Sequence, residues 1–510
     1  MTATLDDSSF DYIVIGSGAS GSVIANRLSA NPDLKVLVLE AGNADKDPNI
    51  QHMGNFVKLW GSEVDWKLIT ENQPGLGDRS IVIDQGKVLG GSTSINALMY
   101  VRGNRRNFDA WAASGATGWS YDDVLPYFKK LEDYEGGASA TRGVGGPLKI
   151  RDCPEQIMRS QEFINAAAQV GYDANWDYNG DRQENGAGLL QFHIDESDQR
   201  VSSATAFLHP VLDRVNLILE LGAEVTRILT EGTRVIGVEY VQDGQVKQAR
   251  STQEVILSAG ALQSPKLLML SGIGDAEHLQ SLNIPVVADL SGVGQNLQDH
   301  VQLPIVFRTK DDRPKPDLLT GNTLFVNTRK DQFDRAPDLQ LNFTPAVPVQ
   351  LPIDFGVPAC IFLAILVQPE SIGEVKLRSS NYQDQPIINP NYLQSDADVQ
   401  TLVAAIQLAR EIANTSAFAE LNLGEIVPGA SGDAEIEGFI RSQASTIWHP
   451  VGTCKMGQDD RAVVDPQLRV WGLQGLRVAD ASVMPIVPSG NTVAACFMIG
   501  EKAADLILAN

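Results

Sequence analysis

An α/β fold, α+β overall, is what this sequence predicts: one domain on a parallel sheet, and a second on an antiparallel sheet flanked by helices. Three observations predict it. An apolar run leads into a glycine turn and then an amphipathic stretch, FDYIVIGSGASGSVIANRL, from Phe10 to Leu28. A second apolar run, LKVLVLEAG, reaches Glu40 near its end. In the middle of the chain, DLQLNFTPAV, ACIFLAILVQ and GEVKLRS alternate or run apolar at lengths suited to the strands of an antiparallel sheet.

Taken in order, Tyr12 to Ile15 reads as a buried parallel strand, and Ala19, Val23 and Leu28 suit one face of the helix that follows. Between them Gly16, Gly18 and Gly21 form GxGxxG. The first glycine permits the tight turn, the second lets backbone approach a pyrophosphate, and the third lets helix and strand pack closely. The helix N-terminus then offers free N–H groups and about half a positive charge to an anion. Glu40 stands about 20 residues further on, where a carboxylate accepts hydrogen bonds from ribose hydroxyls and repels a 2′-phosphate. A Rossmann-like site for the adenosine diphosphate part of FAD or NAD follows, rather than one for NADP. The fingerprint alone does not separate FAD from NAD, and an ordinary α/β unit with a solvated Glu40 is the alternative.

At 510 residues and 43% hydrophobic content, the chain can bury a large core and form more than one lobe. A formal charge of −23 without any Lys/Arg-rich run argues against a nucleic-acid surface, which needs clustered cations. The acidity speaks to solubility. The opening MTATLDDSSF has no basic segment followed by an apolar stretch, so no secretory signal is expected. No window approaches the roughly 18 apolar residues of a membrane span. Cys153, Cys360, Cys454 and Cys496 show no paired spacing, so no metal site is expected, and reduced thiols in a cytoplasm are the simplest account.

The next glycine-rich block is GKVLGGSTSINALMYVRG, Gly86 to Gly103. With Asp109 it resembles the first signature of the glucose-methanol-choline (GMC) oxidoreductases. GALQSPKLLMLSGIG, Gly260 to Gly274, resembles the second. Further similarity lies in VGQNLQDH, WHPVGTCKMG and GLRVADASVMPIVPSGNTVAACFMIGEKAADLI, so the likeness runs from Asp11 to about Leu508 and thins between Pro304 and Ser445.

The resemblance implies an FAD enzyme that oxidises a small-molecule alcohol by hydride transfer, with oxygen, a quinone or another acceptor taking the electrons. Gly16, Gly18, Gly21 and Glu40 would hold the adenosine diphosphate, and Gly90, Gly91, Ser92 and Asn96 would line the flavin and its phosphates. Val225 would meet the adenine through its backbone, Asp480 and Ala481 the ribityl and pyrophosphate, and Thr492 the flavin ring. Asp480 also reads as a helix N-cap, and both readings hold together. No histidine lies between Gly86 and Gly103 to link the flavin, so noncovalent FAD is expected. Relatives on the same fold that cleave cyanohydrins or decarboxylate fatty acids with light are the functional alternative.

The same resemblance implies a discontinuous FAD-binding domain, 1–150, 200–304 and 446–510, and a substrate-binding domain, 151–199 and 305–445. A helix is expected from Asp396 to Asn414. DRPKPD and PAVPVQLPIDFGVP read as loops that border the entrance or simply cross the surface. Of six histidines, His52, His193, His209 and His278 read as surface or structural residues, and His300 as structural near the dinucleotide. His449, between Trp448 and Pro450, takes the family's catalytic position, with Asn491 as its partner. Neutral imidazole suits a base because its ordinary pKa is about 6.5. The alternative is a His packed under Trp448 and an Asn capping the last helix. Trp60, Trp66, Phe343 and Trp448 are aromatics that either form core or meet the substrate.

Overall fold

A computed structural model describes residues 9–154, 158–310, 314–329, 335–419, 421–429 and 432–509. Most of the opening MTATLDDSSF, and Asp312 and Arg313 of DRPKPD, lie outside the described residues.

The N-terminal pattern folds as a parallel unit. Strand β1 (Ser9–Ile15) pairs in parallel with β2 (Val36–Glu40), Ile13 opposite Leu37, and on its other side with Gln245–Leu257, Val14 opposite Ile256. All five residues of β2 are buried, as expected of a strand covered on both faces. Helix α1 (Ala19–Leu28) crosses between β1 and β2. Leu217–Leu221 and Leu476–Val478 extend the parallel part, and the antiparallel strands Glu224–Glu231 and Arg234–Gln242 complete a seven-stranded sheet. The last helix, Val493–Leu508, lies on α1, where Ser20 Oγ donates to the Cys496 carbonyl at 2.6 Å.

The second layer is an eight-stranded sheet. Val301–Arg308 pairs antiparallel with Ala359–Leu366, which pairs with Leu339–Thr344, then Asn322–Val326 and Gly186–Leu189. The helix Asp396–Ala413 packs on the Ala359–Leu366 strand. Ser395 accepts from the Ala397 N–H at its start, Asp396 and Asp398 suit the positive end of its dipole, and Arg410 suits the negative end. Val399, Leu402, Ile406 and Ala409 recur at helical spacing on its buried face.

Two expectations about the middle of the chain change. GEVKLRS forms a strand only over Glu374–Lys376, in a separate two-stranded ribbon with Ile387–Asn389. The first long strand of the antiparallel sheet begins at Val301, and Val301 and Gln302 pair with Thr446 and Ser445. PAVPVQLPIDFGVP and Lys315 of DRPKPD wall a separate cavity of about 270 Å³ rather than the large one described next. Among the described residues, no helix is long and apolar enough to cross a membrane.

Candidate active site

A cavity of about 280 Å³ runs from the carboxyl ends of β1 and β2 toward the antiparallel sheet. Its outer end is walled by Glu40, Ala223 and Val225, its middle by Gly16, Gly18, Gly91, Ser92, Asp480 and Ala481, and its inner end by Asn96, His449, Asn491 and Thr492. Gly21 and Gly90, expected to touch a cofactor, stand behind the wall. A Cβ on Gly21 would sit 2.0 Å from the Gly16 carbonyl oxygen, so its smallness serves turn packing. Gly90 is left-handed at φ +92° and donates its N–H to Ser17 Oγ at 3.1 Å, which shapes the loop instead of lining it.

The cradle fits a dinucleotide by a direct criterion. A Cβ added to Gly18 meets nothing within 4 Å, whereas one on Gly16 would lie 2.5 Å from the Ser258 carbonyl. Gly18 therefore has no packing reason to lack a side chain, and its bare backbone opens into the cavity at the N-cap of α1. A Cβ on Gly91 would come within 2.9 Å of Gly18 Cα, so two backbones approach across the same slot. The Glu40 carboxylate accepts from Ser17 N at 3.0 Å, Ser17 Oγ at 2.6 Å and Gly42 N at 2.8 Å, and its two oxygens have capacity for further donors. Burial raises its pKa, and those three donors pull the other way.

Asp480 is saturated by the chain itself. One oxygen accepts from Ser482 N and Oγ at 2.8 and 2.5 Å, the other from Gly260 N and Ser264 Oγ at 2.9 and 2.5 Å. It caps one helical turn and ties it to the helix Gly260–Leu270, so its side chain builds the wall rather than reaching across it.

At the inner end, His449 and Asn491 arrive from different layers. His449 follows the two-residue strand Ser445–Thr446 on the edge of the antiparallel sheet, and Asn491 precedes the last helix, capped at Thr492. Asn491 Nδ2 lies 3.2 Å from His449 Nε2. The backbone of His449 is pinned by Asp299, which accepts from His449 N at 2.8 Å, Thr446 Oγ1 at 2.6 Å and Tyr392 OH at 2.5 Å. Trp448 takes the left-handed conformation, φ +61°, unusual for a bulky residue, and donates its N–H to Thr446 Oγ1 at 2.8 Å. Burial pushes His449 down to about 3 and Asp299 up to about 6. His449 is therefore a neutral imidazole at neutral pH.

His300 stands against His449, with Nδ1 to Nδ1 at 3.0 Å and the rings perpendicular. It is fully buried and does not line the cavity, as suits the structural role expected of it. His193 likewise leaves the surface, accepting from the Asn96 amide at 3.3 Å through Nε2 and donating from Nδ1 to the Val201 carbonyl at 2.7 Å. Asn96 also accepts from Arg200 at 2.6 Å, which fixes the loop that lines the inner end.

Of the four aromatics, Phe343 is core, stacked on Phe163 at 5.4 Å. The tryptophans line the cavity. Trp60 and Trp448 pack on one another, centroids 4.3 Å apart, while Trp66 carries the Lys87 ammonium 4.2 Å above its ring. Asp84 joins this wall, a residue that the sequence reading did not single out. Burial and the neighbouring Asp65 carboxyl raise its pKa to about 7, against the pull of the Trp448 and Gly61 N–H groups. Asp299 and Asp84 were not singled out because polar residues in turns look alike in sequence, and nothing in the sequence set His300 against His449. The one usable signal was Asp299 beside His300 inside the NLQDH motif.

A nucleotide cradle on a parallel sheet that opens onto a buried, neutral imidazole defines a dinucleotide-dependent oxidoreductase. Residues 10–302 and 369–500 match the two family profiles described as GMC oxidoreductase. The chain belongs to the GMC oxidoreductase family. It is 41% identical to human mitochondrial choline dehydrogenase, over 98% of this chain and 89% of that protein. It is 38% identical to an alcohol dehydrogenase [acceptor] of Pseudomonas putida, over 98% and 96%. Among solved structures, pyridoxine 4-oxidase from Mesorbium loti superposes with a TM-score of 0.92 at 32% identity, covering 98% of this chain and 100% of that one. Aspergillus oryzae formate oxidase, solved in a study of FAD modification, gives 0.91 at 28% identity, with 98% of each chain covered. The protein is an FAD-dependent oxidoreductase acting on CH–OH groups, and the lyase and decarboxylase alternatives gain no support.

Proposed function

We propose that the protein oxidises a primary alcohol with an apolar or aromatic body, with His449 as proton acceptor and Asn491 as hydrogen-bond donor to the alcohol oxygen. The observation that carries this reading is the convergence of His449 Nε2 and the Asn491 amide, 3.2 Å apart, on the wall of one cavity. FAD, when bound, supplies the hydride acceptor. The chain's own residues do the rest. An alcohol releases hydride readily only once its oxygen carries negative charge. The His449 Nε2 lone pair takes the hydroxyl proton, and the Asn491 N–H turns from imidazole to oxyanion, a donor of a kind worth about 3 kcal/mol. Asp299, Thr446 and Tyr392 hold the His449 backbone so that the ring needs no reorganisation.

The preference for a neutral body rests on the state of the tryptophans. Trp60 and Trp448 cover each other, Trp66 already faces Lys87, and the Asp84 carboxyl is only partly ionised near neutral pH. A second reading, an alcohol bearing a quaternary ammonium, is favoured by Asp84 itself and by the choline dehydrogenase relatives. An anaerobic screen separates them: benzyl or furfuryl alcohol should bleach the flavin faster than choline, and the opposite order selects the cationic substrate.

FAD is proposed to be noncovalent, since Asn96 stands in the flavin loop and His193 is engaged with Asn96 and Val201. Either oxygen or a quinone is proposed to reoxidise it at the small space by Ile447 and His449, and admitting oxygen after anaerobic reduction tells which. A reducing compartment, the cytoplasm, is proposed because no disulfide joins the four cysteines, all of which are described. Cell fractionation tests it.

A further inference from the structure

His449 can act as the base only in one tautomer, with the proton on Nδ1 and the lone pair on Nε2 facing the cavity. Asn491 on the cavity wall points its N–H at His449 Nε2, and His300 meets the ring from the other side. Its Nδ1 meets His449 Nδ1 at 3.0 Å, so one of the two nitrogens donates and the other accepts. The Asn491 N–H directed at His449 Nε2 requires a lone pair on that atom, so the His449 proton sits on Nδ1. His449 then donates from Nδ1, and His300 Nδ1 is the acceptor. The proton of the neutral His300 ring is left on its buried Nε2.

We propose that His300 is a positioning residue that fixes His449 in the Nδ1–H tautomer and stabilises the imidazolium formed when Nε2 takes the substrate proton. This rests on His449 being the base. In the reacting state the O–H bond of the alcohol breaks and a new N–H bond forms at His449 Nε2. The Nδ1–H···Nδ1 bond to His300 then becomes charge-assisted and shortens. The ionisable groups around the pair are few. His449, itself neutral at neutral pH, is the ionisable ring against His300, and Asp299 beside it in the chain turns its carboxylate to Thr446, Tyr392 and the His449 N–H. Burial pushes His300 well below the usual histidine range, which leaves its Nδ1 lone pair available across the working pH.

The test uses the FAD-loaded protein labelled with ¹⁵N-histidine, read by long-range proton–nitrogen correlation at neutral pH. Wild type should show His449 protonated on Nδ1 and bare on Nε2, with His300 the mirror image; a proton on His449 Nε2 in wild type overturns the proposal without any variant. His300→Leu removes the acceptor. It should shift His449 toward the Nε2–H form, slow flavin reduction at saturating alcohol by about 10-fold or more with KM little changed, and displace the acid limb of the rate to lower pH. His300→Asn, whose side-chain oxygen can take the place of Nδ1, should restore most of the rate. His300→Leu with an unchanged His449 tautomer and pH profile contradicts the proposal. His449→Ala separates this from the underlying reading: if that variant reduces at the wild-type rate, His449 is not the base, whatever tautomer His300 imposes.

Discussion

Burial decides the chemistry of the individual side chains at the inner end. His449 pushed to about 3 keeps its lone pair through the range where an ordinary histidine, at 6.5, would protonate. The rate of flavin reduction should therefore stay level as pH falls through 6.5 and decline only as it approaches about 3, a limb absent from His449→Ala. Asn491→Ala should slow the same step less than His449→Ala, because it removes a donor and leaves the base. Asp84 titrates in the opposite sense. Its raised pKa, about 7, makes it neutral below that pH and anionic above. The KM for choline should fall as pH rises through about 7, and Asp84→Asn should flatten that dependence while leaving the KM for benzyl alcohol level. A choline KM that ignores both pH and the substitution would remove Asp84 from the substrate's surroundings. None of these shifts is written in the sequence, because each begins with burial, which only the folded chain sets.

Single elements show where the sequence was readable. The unit β1–α1–β2 was legible in full, since a buried parallel strand, a glycine turn and an amphipathic helix each leave a local pattern. The helix Asp396–Ala413 was legible for the same reason, by its period and its caps. GEVKLRS was misplaced because a three-residue strand carries no information about which sheet it joins. His449 and Asn491 were legible only through likeness to a family, as each lies in irregular chain without period. The glycines of the turn now make separable predictions. Gly18→Val should leave the fold intact and abolish FAD retention, as the side chain enters open cavity that a pyrophosphate would occupy. Gly21→Ala should instead compromise folding, because its Cβ would collide with the Gly16 carbonyl at 2.0 Å. Circular dichroism and flavin content per chain distinguish the two outcomes. A Gly18→Val protein with full flavin occupancy would count against the cradle.

The whole molecule places the glycine cradle on one sheet and His449, the proposed base, on the edge of another, and the cavity lies where they meet. Thr446 and Val301 zip the His449 segment to the antiparallel sheet, while Asn491 is delivered by the helix that packs on α1. Acid precipitation should release intact FAD into the supernatant, and flavin that stays with the pellet would refute noncovalent binding. The central claim is that His449 accepts the alcohol proton, and the most direct measurement is anaerobic stopped-flow reduction of bound flavin at saturating alcohol, wild type against His449→Ala with matched FAD content. A loss of about 10²-fold or more in the limiting rate is expected. Reduction of the His449→Ala flavin at the wild-type rate would contradict it.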